Sequence, residues 1–439
     1  MAFPAFLIAL PATFFYGILF DHLVDLPVSD DYDALLRFLN EMVQAKGAAA
    51  KFSTFLGDQH NEYKLFFGNA VTWAQFSLLG HVNFAQLCVL GDSAVLVLAF
   101  LLWSIFLPNE KDLARRLALF VPVAWLLFQL EYWETLNYAM AALQNLWVIV
   151  FWLGAILCLQ RTTRKAYAGA LILYALAIGA SGEGFVLLPV GLLILAMQRQ
   201  FLRVVGWLAV SAVCIAAYAY HYNPMSSQAR PHSSVFATLL YMRPDYAVVF
   251  AGNAGAITPG LAASVEICLA LGTVIVLLFG WLAWRGYIRR NPLVSYCVLF
   301  LLLTAVGVAG MRSDLGLTQG LSSRYTIYGA LMLIFAWTAV VEEFLQRRGR
   351  PLLSDNWYLA LAMLAIAFSL CTDEIGYLRL AGRERADVKA MAAFEHPATP
   401  DSTEGPEPSS AHEDVMVGIR SRATLIDSIR LGVYEPPKY

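Results

Sequence analysis

FPAFLIALPATFFYGILFDHLVDLPVSDDYDALLRFL, Phe3 to Leu39, decides the class of the fold. Phe3 to Phe20 carry no charged side chain, and an apolar run of that length as a helix crosses most of the roughly 30 Å hydrocarbon core of a bilayer. Beyond it the chain turns polar and sets two adjacent acids, Asp30 and Asp31, at the bilayer edge. The run has neither a basic leader nor a small-residue cleavage pattern before Asp21, so it is expected to be a retained anchor.

The whole chain reads the same way. Hydrophobic residues make up 59% and charged residues 14% of the 439 positions, with mean hydropathy +0.61, where soluble domains carry about a quarter charged residues. The expected fold is an all-α, polytopic membrane protein in a lipid bilayer. Spans are expected near Phe3–Phe20, Phe84–Leu107, Leu117–Leu130, Ala139–Gln160, Ala166–Ala180, Phe185–Met197, Val204–Tyr220, Pro259–Trp284, Leu293–Gly310, Ile327–Val341 and Trp357–Leu370, about eleven transmembrane helices. A net charge of −2 without a basic tract offers nothing to neutralise phosphate backbones, so nucleic acid is excluded as a partner. The six cysteines lie in or beside apolar runs without metal-ligand spacing and read as small core hydrophobes.

Charge in the connections sets the expected orientation. Lys111/Arg115/Arg116, Arg161/Arg164/Lys165, Arg199/Arg203, Arg285/Arg289/Arg290 and Arg347/Arg348/Arg350 alternate with the short connections EYWETLNY and SGEG, which hold no Lys or Arg. The positive-inside rule then makes the N-terminus cytoplasmic. The first loop, residues 21–82, falls outside, as do the stretch His221–Ile257, the stretch Met311–Arg324 and the tail. The expected organisation is one transmembrane unit over residues 1–372 and an outer tail over 373–439, with a Pro/Ser/Glu-rich tether and a second short helix in DVMVGIRSRATLIDSIRLGVY.

Within the first loop, DYDALLRFLNEMVQ and EYKLFFGNAVTWAQFSLLG each gather apolar residues on one face, as helices lying on a membrane surface do. Between them FLGDQHNEYKLFF packs Asp58, Gln59, His60, Asn61, Glu62 and Lys64 into one polar cluster. Interfacial helices over a cavity suit an enzyme that meets one substrate in the bilayer and another in water.

DDY at Asp30–Tyr32, QHNEY at Gln59–Tyr63, YAVVFAGNAGAI and SSRYTIYGAL at Ser322–Leu331 resemble stretches of bacterial GT-C-class integral-membrane glycosyltransferases, with the type IV pilin arabinofuranosyltransferases as a close relative. The resemblance covers most of the chain in architecture, but its motifs occupy only these short segments. It implies a GT-C-like membrane domain in a bacterial inner (plasma) membrane with its active site periplasmic. A polyprenyl-phosphate-linked sugar would be the donor, a glycan, glycolipid or protein the acceptor, and transfer would invert the anomeric carbon. It also implies an acidic base in the first outer loop, here Asp30 or Asp31.

The residue types fit that chemistry. A carboxylate beside another is expected to have its pKa raised, which suits a general base. Asp30 is the first choice for that role, with Asp31 orienting it or binding a metal. The departing phosphate needs cations, offered by Arg324 first, then Arg312, Lys64, His60, Arg230 and Arg243. A divalent cation (Mg or Mn) would be held by Asp31, Glu62 and phosphate oxygens, though no spacing demands one. Other readings stand beside these. Ser29 or Asp30 caps the following helix; His60, Glu62 and Lys64 form a solvated turn; Glu131 and Glu134 either line the cavity or end a helix; Arg324 and Tyr325 anchor the interface. Asp92 and Glu266 sit at membrane depth, where charge is costly. A transporter or flippase of lipid-linked saccharides would use such residues, and an O-antigen ligase or polymerase would use Arg230, His232 and Arg243.

Overall fold

The computed structural model describes residues 2–223, 242–256, 262–348, 357–395 and 411–437. Among them every regular element is a helix, and β-pairing is confined to the isolated bridges His60–Tyr63 and Val82–Tyr434. Among the described residues, nine helical stretches are long and apolar enough to cross a membrane: Ala2–Asp21, Phe84–Ile105, Leu113–Tyr132, Ala139–Leu159, Phe201–Ala219, Ser264–Trp284, Pro292–Leu315, Ser323–Leu345 and Leu359–Ala392. The chain is a multi-pass membrane protein. Two of the eleven expected spans, near 166–180 and 185–197, fall in the shorter helices Arg164–Ala180 and Leu187–Met197. They are joined by the turn Ser181–Val186, which folds back on the first of them, where a Cβ on Gly184 would overlap the backbone of Ala177 and Ile178.

Because nearly all these helices are apolar on every side, burial rather than amphipathicity sorts them into centre and rim. Ala139–Leu159 and Ser323–Leu345 are 78% and 83% buried, whereas Phe201–Ala219 is 11% buried and turns Leu202 and Val213 outward. Without a hydrophobic drive between helices in lipid, close packing supplies the attraction. Trp152 stacks on Phe300, and Tyr174 on Trp207, each at 4.3 Å between ring centres.

The first loop has its own core. Leu35, Leu36, Phe38, Leu39 and Met42 are buried with Phe84, Leu87, Leu425 and Tyr434. The expected apolar face of the Arg37–Gln44 helix therefore packs against protein, including the C-terminal helix Ala411–Arg430, rather than against a membrane surface. A further helix, Gly47–Gly57, precedes the second expected one, which runs Phe66–Leu79. Leu78 and Phe52 stay exposed there. The tail is tied to the loop by polar contacts as well. Asn40 Nδ2 donates to Ser428 Oγ (2.9 Å), Val82 N to Val433 O (2.8 Å), and Tyr434 Oη to Asp25 O (2.8 Å). The last expected span and the start of the tail form one continuous helix, Trp357–Glu395. Its middle and C-terminal half hold the Leu130–Tyr138 connection: Leu130 N donates to Asp373 Oδ1 (2.6 Å), and Arg383 donates to the carbonyls of Trp133 (2.9 Å) and Leu136. Gly376 permits this approach, since a Cβ there would overlap Leu130. First loop, tail and the Leu130–Tyr138 connection thus share one face of the bundle. The basic connections meet each other elsewhere, as where Arg203 Nη2 donates to Thr162 O (2.5 Å).

Candidate functional site

A cavity of about 340 Å³ opens on the face that carries the first loop, within the range of small-ligand sites. It is assembled from distant parts of the chain. The first loop supplies Asp30, His60 and Tyr63; the Leu130–Tyr138 connection, Glu134 and Tyr138; the Ser181–Val186 turn, Glu183; the helix ends near 312–325, Arg312, Arg324 and Tyr325; and the long last helix, Arg383.

The adjacent aspartates part company here. Ser29 takes a positive φ of 44°, and a π-helical turn, Tyr32–Leu36, follows the pair; both are departures common where a site needs a particular side-chain direction. Asp30, with 47% of its side chain exposed, faces the cavity. Its Oδ2 lies 3.4 Å from His60 Nε2, and its backbone N donates to Tyr138 Oη (2.9 Å). Asp31 points into the protein, 1% exposed, where its two oxygens accept from Val28 N (2.9 Å) and Met140 N (2.8 Å). It thereby pins the loop to the first turn of the Ala139–Asn145 helix. The expected elevation of the pair's pKa values divides. The hydrogen bond from His60, with the charges of His60 and Arg324, outweighs burial and holds Asp30 below the usual carboxylate range. Burial pushes Asp31 up to about 7 against the pull of its two backbone donors, with Asp30's charge a lesser contribution.

The segment Asp58–Lys64 is a tight turn: His60 N donates to Tyr63 O (3.0 Å) and Tyr63 N to His60 O (2.9 Å). Asn61 sits at φ 50°, a conformation that Asn tolerates better than most residues. Asp58, His60, Glu62 and Lys64 are all buried, with different partners. Asp58 accepts from Arg37 (2.8 Å) and Asn69 (2.7 Å). Glu62 pairs with Arg312, which also donates to Tyr63 Oη (3.2 Å). Lys64 does not reach the cavity. Its Nζ donates to the carbonyls of Leu56, Gly57 and Tyr220 at 3.0, 2.8 and 2.9 Å, so all three protons serve helix ends.

The remaining expected residues fall in three settings. Glu134 lines the cavity and caps the Ser323–Arg348 helix, accepting from Ser322 Oγ (2.6 Å) and Arg324 N (3.1 Å). Arg324 lies over the Tyr325 ring at 5.4 Å; its Nε is buried without a hydrogen-bond partner. Glu131 is outside this cavity, 7% exposed beside Ser323, Thr326 and Thr372, and neither of its carboxylate oxygens meets a donor. Asp92 accepts from Asn137 N (3.1 Å) and so steadies the Leu130–Tyr138 connection, while Glu266 is exposed. Arg230 and His232 lie outside the described residues, and Arg243 pairs with Asp245 at 2.6 Å.

Sequence reasoning missed Glu183, Tyr63, Tyr138 and Arg383 as cavity residues. Glu183, which accepts from Tyr328 Oη, had a signal: an acid between two glycines in a connection free of basic residues. Arg383 had none, because only the unbroken helix beyond residue 370 brings it over the cavity. As for a divalent ion, Asp31 and Glu62 are each engaged elsewhere. Among the described residues no three His, Cys, Asp or Glu side chains stand together as a ligand set.

Beside the polar cavity lies a second one of about 290 Å³, lined by Phe185, Val186, Tyr218, Tyr222, Gly307, Val308 and Met311. Tyr63, Glu183, Arg312 and Tyr325 border both. An ionisable chamber and an apolar one thus share a wall that holds the Glu62–Arg312 pair. Compared with protein-family models, with curated proteins and with solved structures, the chain matches none.

Proposed function

We propose that the chain is a GT-C-type membrane glycosyltransferase, moving a sugar from a polyprenyl-phosphate donor to a hydroxyl of a glycan, glycolipid or protein. On this reading the enzyme sits in a bacterial inner membrane with the N-terminus cytoplasmic and the cavity periplasmic. The observation that carries the proposal is the shared wall: an apolar chamber opening beside a polar one, with Arg312 at the junction and Arg324 in the polar chamber, suits a ligand that is part isoprenoid and part phosphosugar.

The residues divide the work as follows. The isoprenoid would lie along Phe185, Val186, Val308 and Met311. The phosphate would take Arg324, whose Nε has no partner, and the face of Arg312 not used by Glu62. The sugar would then sit between Tyr63, Glu183 and Tyr138. Asp30, ionised and open to the cavity, accepts the proton of the acceptor hydroxyl as its oxygen bonds to the anomeric carbon. The carbon–oxygen bond to phosphate breaks with its electron pair staying on phosphate, where the arginines stabilise the added charge. One displacement inverts the anomeric centre.

The test is release of farnesyl phosphate from radiolabelled farnesyl-phosphoryl pentoses and hexoses by purified protein in detergent, with farnesyl arabinofuranosyl phosphate in the donor panel and glycan, glycolipid and peptide hydroxyls supplied as acceptors. Turnover of at least one donor is expected. Binding of these donors and movement across vesicle membranes without bond cleavage would instead support the flippase.

A further inference from the structure

His60 is buried, with 10% of its side chain exposed, and its Nε2 faces one oxygen of a carboxylate that also meets Tyr138 and keeps 47% of its side chain exposed at the cavity. We infer that His60 is a positioning residue for Asp30, fixing Oδ2 at 3.4 Å so that the remaining lone pairs face the incoming hydroxyl. The inference rests on the reading of Asp30 as the base. It changes the place of His60 in that reading, from a cation for the phosphate to a partner of the carboxylate.

Three observations support it. The imidazole is carried on the tight His60–Tyr63 turn, whose backbone bonds at 3.0 and 2.9 Å leave it little freedom. That turn is itself anchored on both sides, by Asp58 to Arg37 and Asn69 and by Glu62 to Arg312. The side-chain amide of Asn61 stands 3.0 Å from the same ring nitrogen, and a proton on Nε2 shared with Asp30 requires the amide to present its oxygen there. A carboxylate has about four acceptor positions. With one given to His60 the acceptor hydroxyl can use another, and its proton moves to Asp30 while its oxygen bonds to the sugar and phosphate departs with the bonding pair.

The charged and titratable groups facing Asp30 are His60 from the turn, Tyr138 from the Leu130–Tyr138 connection, Arg324 from the Ser323–Arg348 helix and Asp31 beside it, with Glu134 and Arg383 also lining the cavity. Of these, His60 is the largest influence holding Asp30 ionised. Removing it lets Asp30 take up a proton at higher pH.

The experiment is labelling with a water-soluble carbodiimide and glycine ethyl ester, which modifies protonated carboxyls, across a pH series on the full-length protein. Modification at Asp30 is read by peptide mass spectrometry, with Asp33 as internal reference. His60→Ala is expected to move half-labelling of Asp30 to higher pH, and His60→Gln, which keeps a donor, to return it most of the way. Turnover should fall on the order of 10²-fold in His60→Ala, as for a misplaced catalytic group, and recover in His60→Gln. The same midpoint in all three proteins, or no recovery with glutamine, overturns the inference. Because labelling needs no substrate, the two claims separate. Intact turnover in Asp30→Asn alongside shifted midpoints would defeat the base reading and leave the positioning pair standing.

Discussion

Replacing Glu62 with alanine tests the wall between the two cavities. Glu62 and Arg312 each expose 8% of their side chains and face one another, with Tyr63 Oη a second acceptor for Arg312 at 3.2 Å. Removing one partner of a buried ion pair costs roughly 3–5 kcal/mol, most of it from the charge left behind. Tyr63 still accepts one bond, so Glu62→Ala should fall near the lower end, about 3 kcal/mol. Replacing both partners with apolar side chains of similar size, Glu62→Leu with Arg312→Met, removes the stranded charge and should recover most of that loss. Thermal unfolding in detergent, followed by tryptophan fluorescence for wild type, both singles and the double, gives the coupling energy directly. A coupling of about 2 kcal/mol or more is expected. Single losses that simply add in the double variant would mean that Glu62 and Arg312 do not form a buried pair.

Lys64→Met should destabilise the protein, because three helix-end carbonyls at 2.8–3.0 Å lose their donor; the KM of the folded fraction for a farnesyl-phosphoryl donor should not change, and a raised KM would return Lys64 to the binding site. Arg324→Ala should act the other way, raising KM for phosphate-linked donors by about tenfold or more with little change in melting, since its Nε bonds to nothing in the protein. Truncation after Glu395 removes Ser428, Val433 and Tyr434 from the first loop. Faster hydrogen exchange over residues 32–44 is expected, and unchanged exchange would show that the tail does not brace the loop.

The sequence was most legible where one physical rule acts alone. Long apolar runs, two of them holding a lone acid, marked the spans, and only the two short helices near 164–197 blur the count. A paired acid at the edge of the first span pointed to Asp30, and QHNEY to His60. Side-chain direction was not legible. The parting of Asp30 from Asp31 depends on a positive φ at Ser29 and a π-helical turn, neither of which has a residue signature. Lys64 read as a phosphate cation because its carbonyl partners are backbone atoms, invisible in residue types. The apolar face of Arg37–Gln44 read as membrane-bound because part of its cover comes from 388 residues further along, at contacts such as Asn40 to Ser428. Arg383 reached the cavity, and Tyr434 the first loop, by the same long reach.

The most direct measurement is release of farnesyl phosphate from farnesyl-phosphoryl sugars, with glycan, glycolipid and peptide acceptors present, by wild type and Asp30→Asn at matched protein and matched melting temperature. If Asp30 takes the acceptor proton, wild type turns over at least one donor and Asp30→Asn loses about 10²–10⁴-fold in rate. Its melting should barely change, since 47% of the Asp30 side chain is exposed to the cavity. A wild-type protein that cleaves none of these donors, or an Asp30→Asn variant that cleaves them at the wild-type rate, would contradict it.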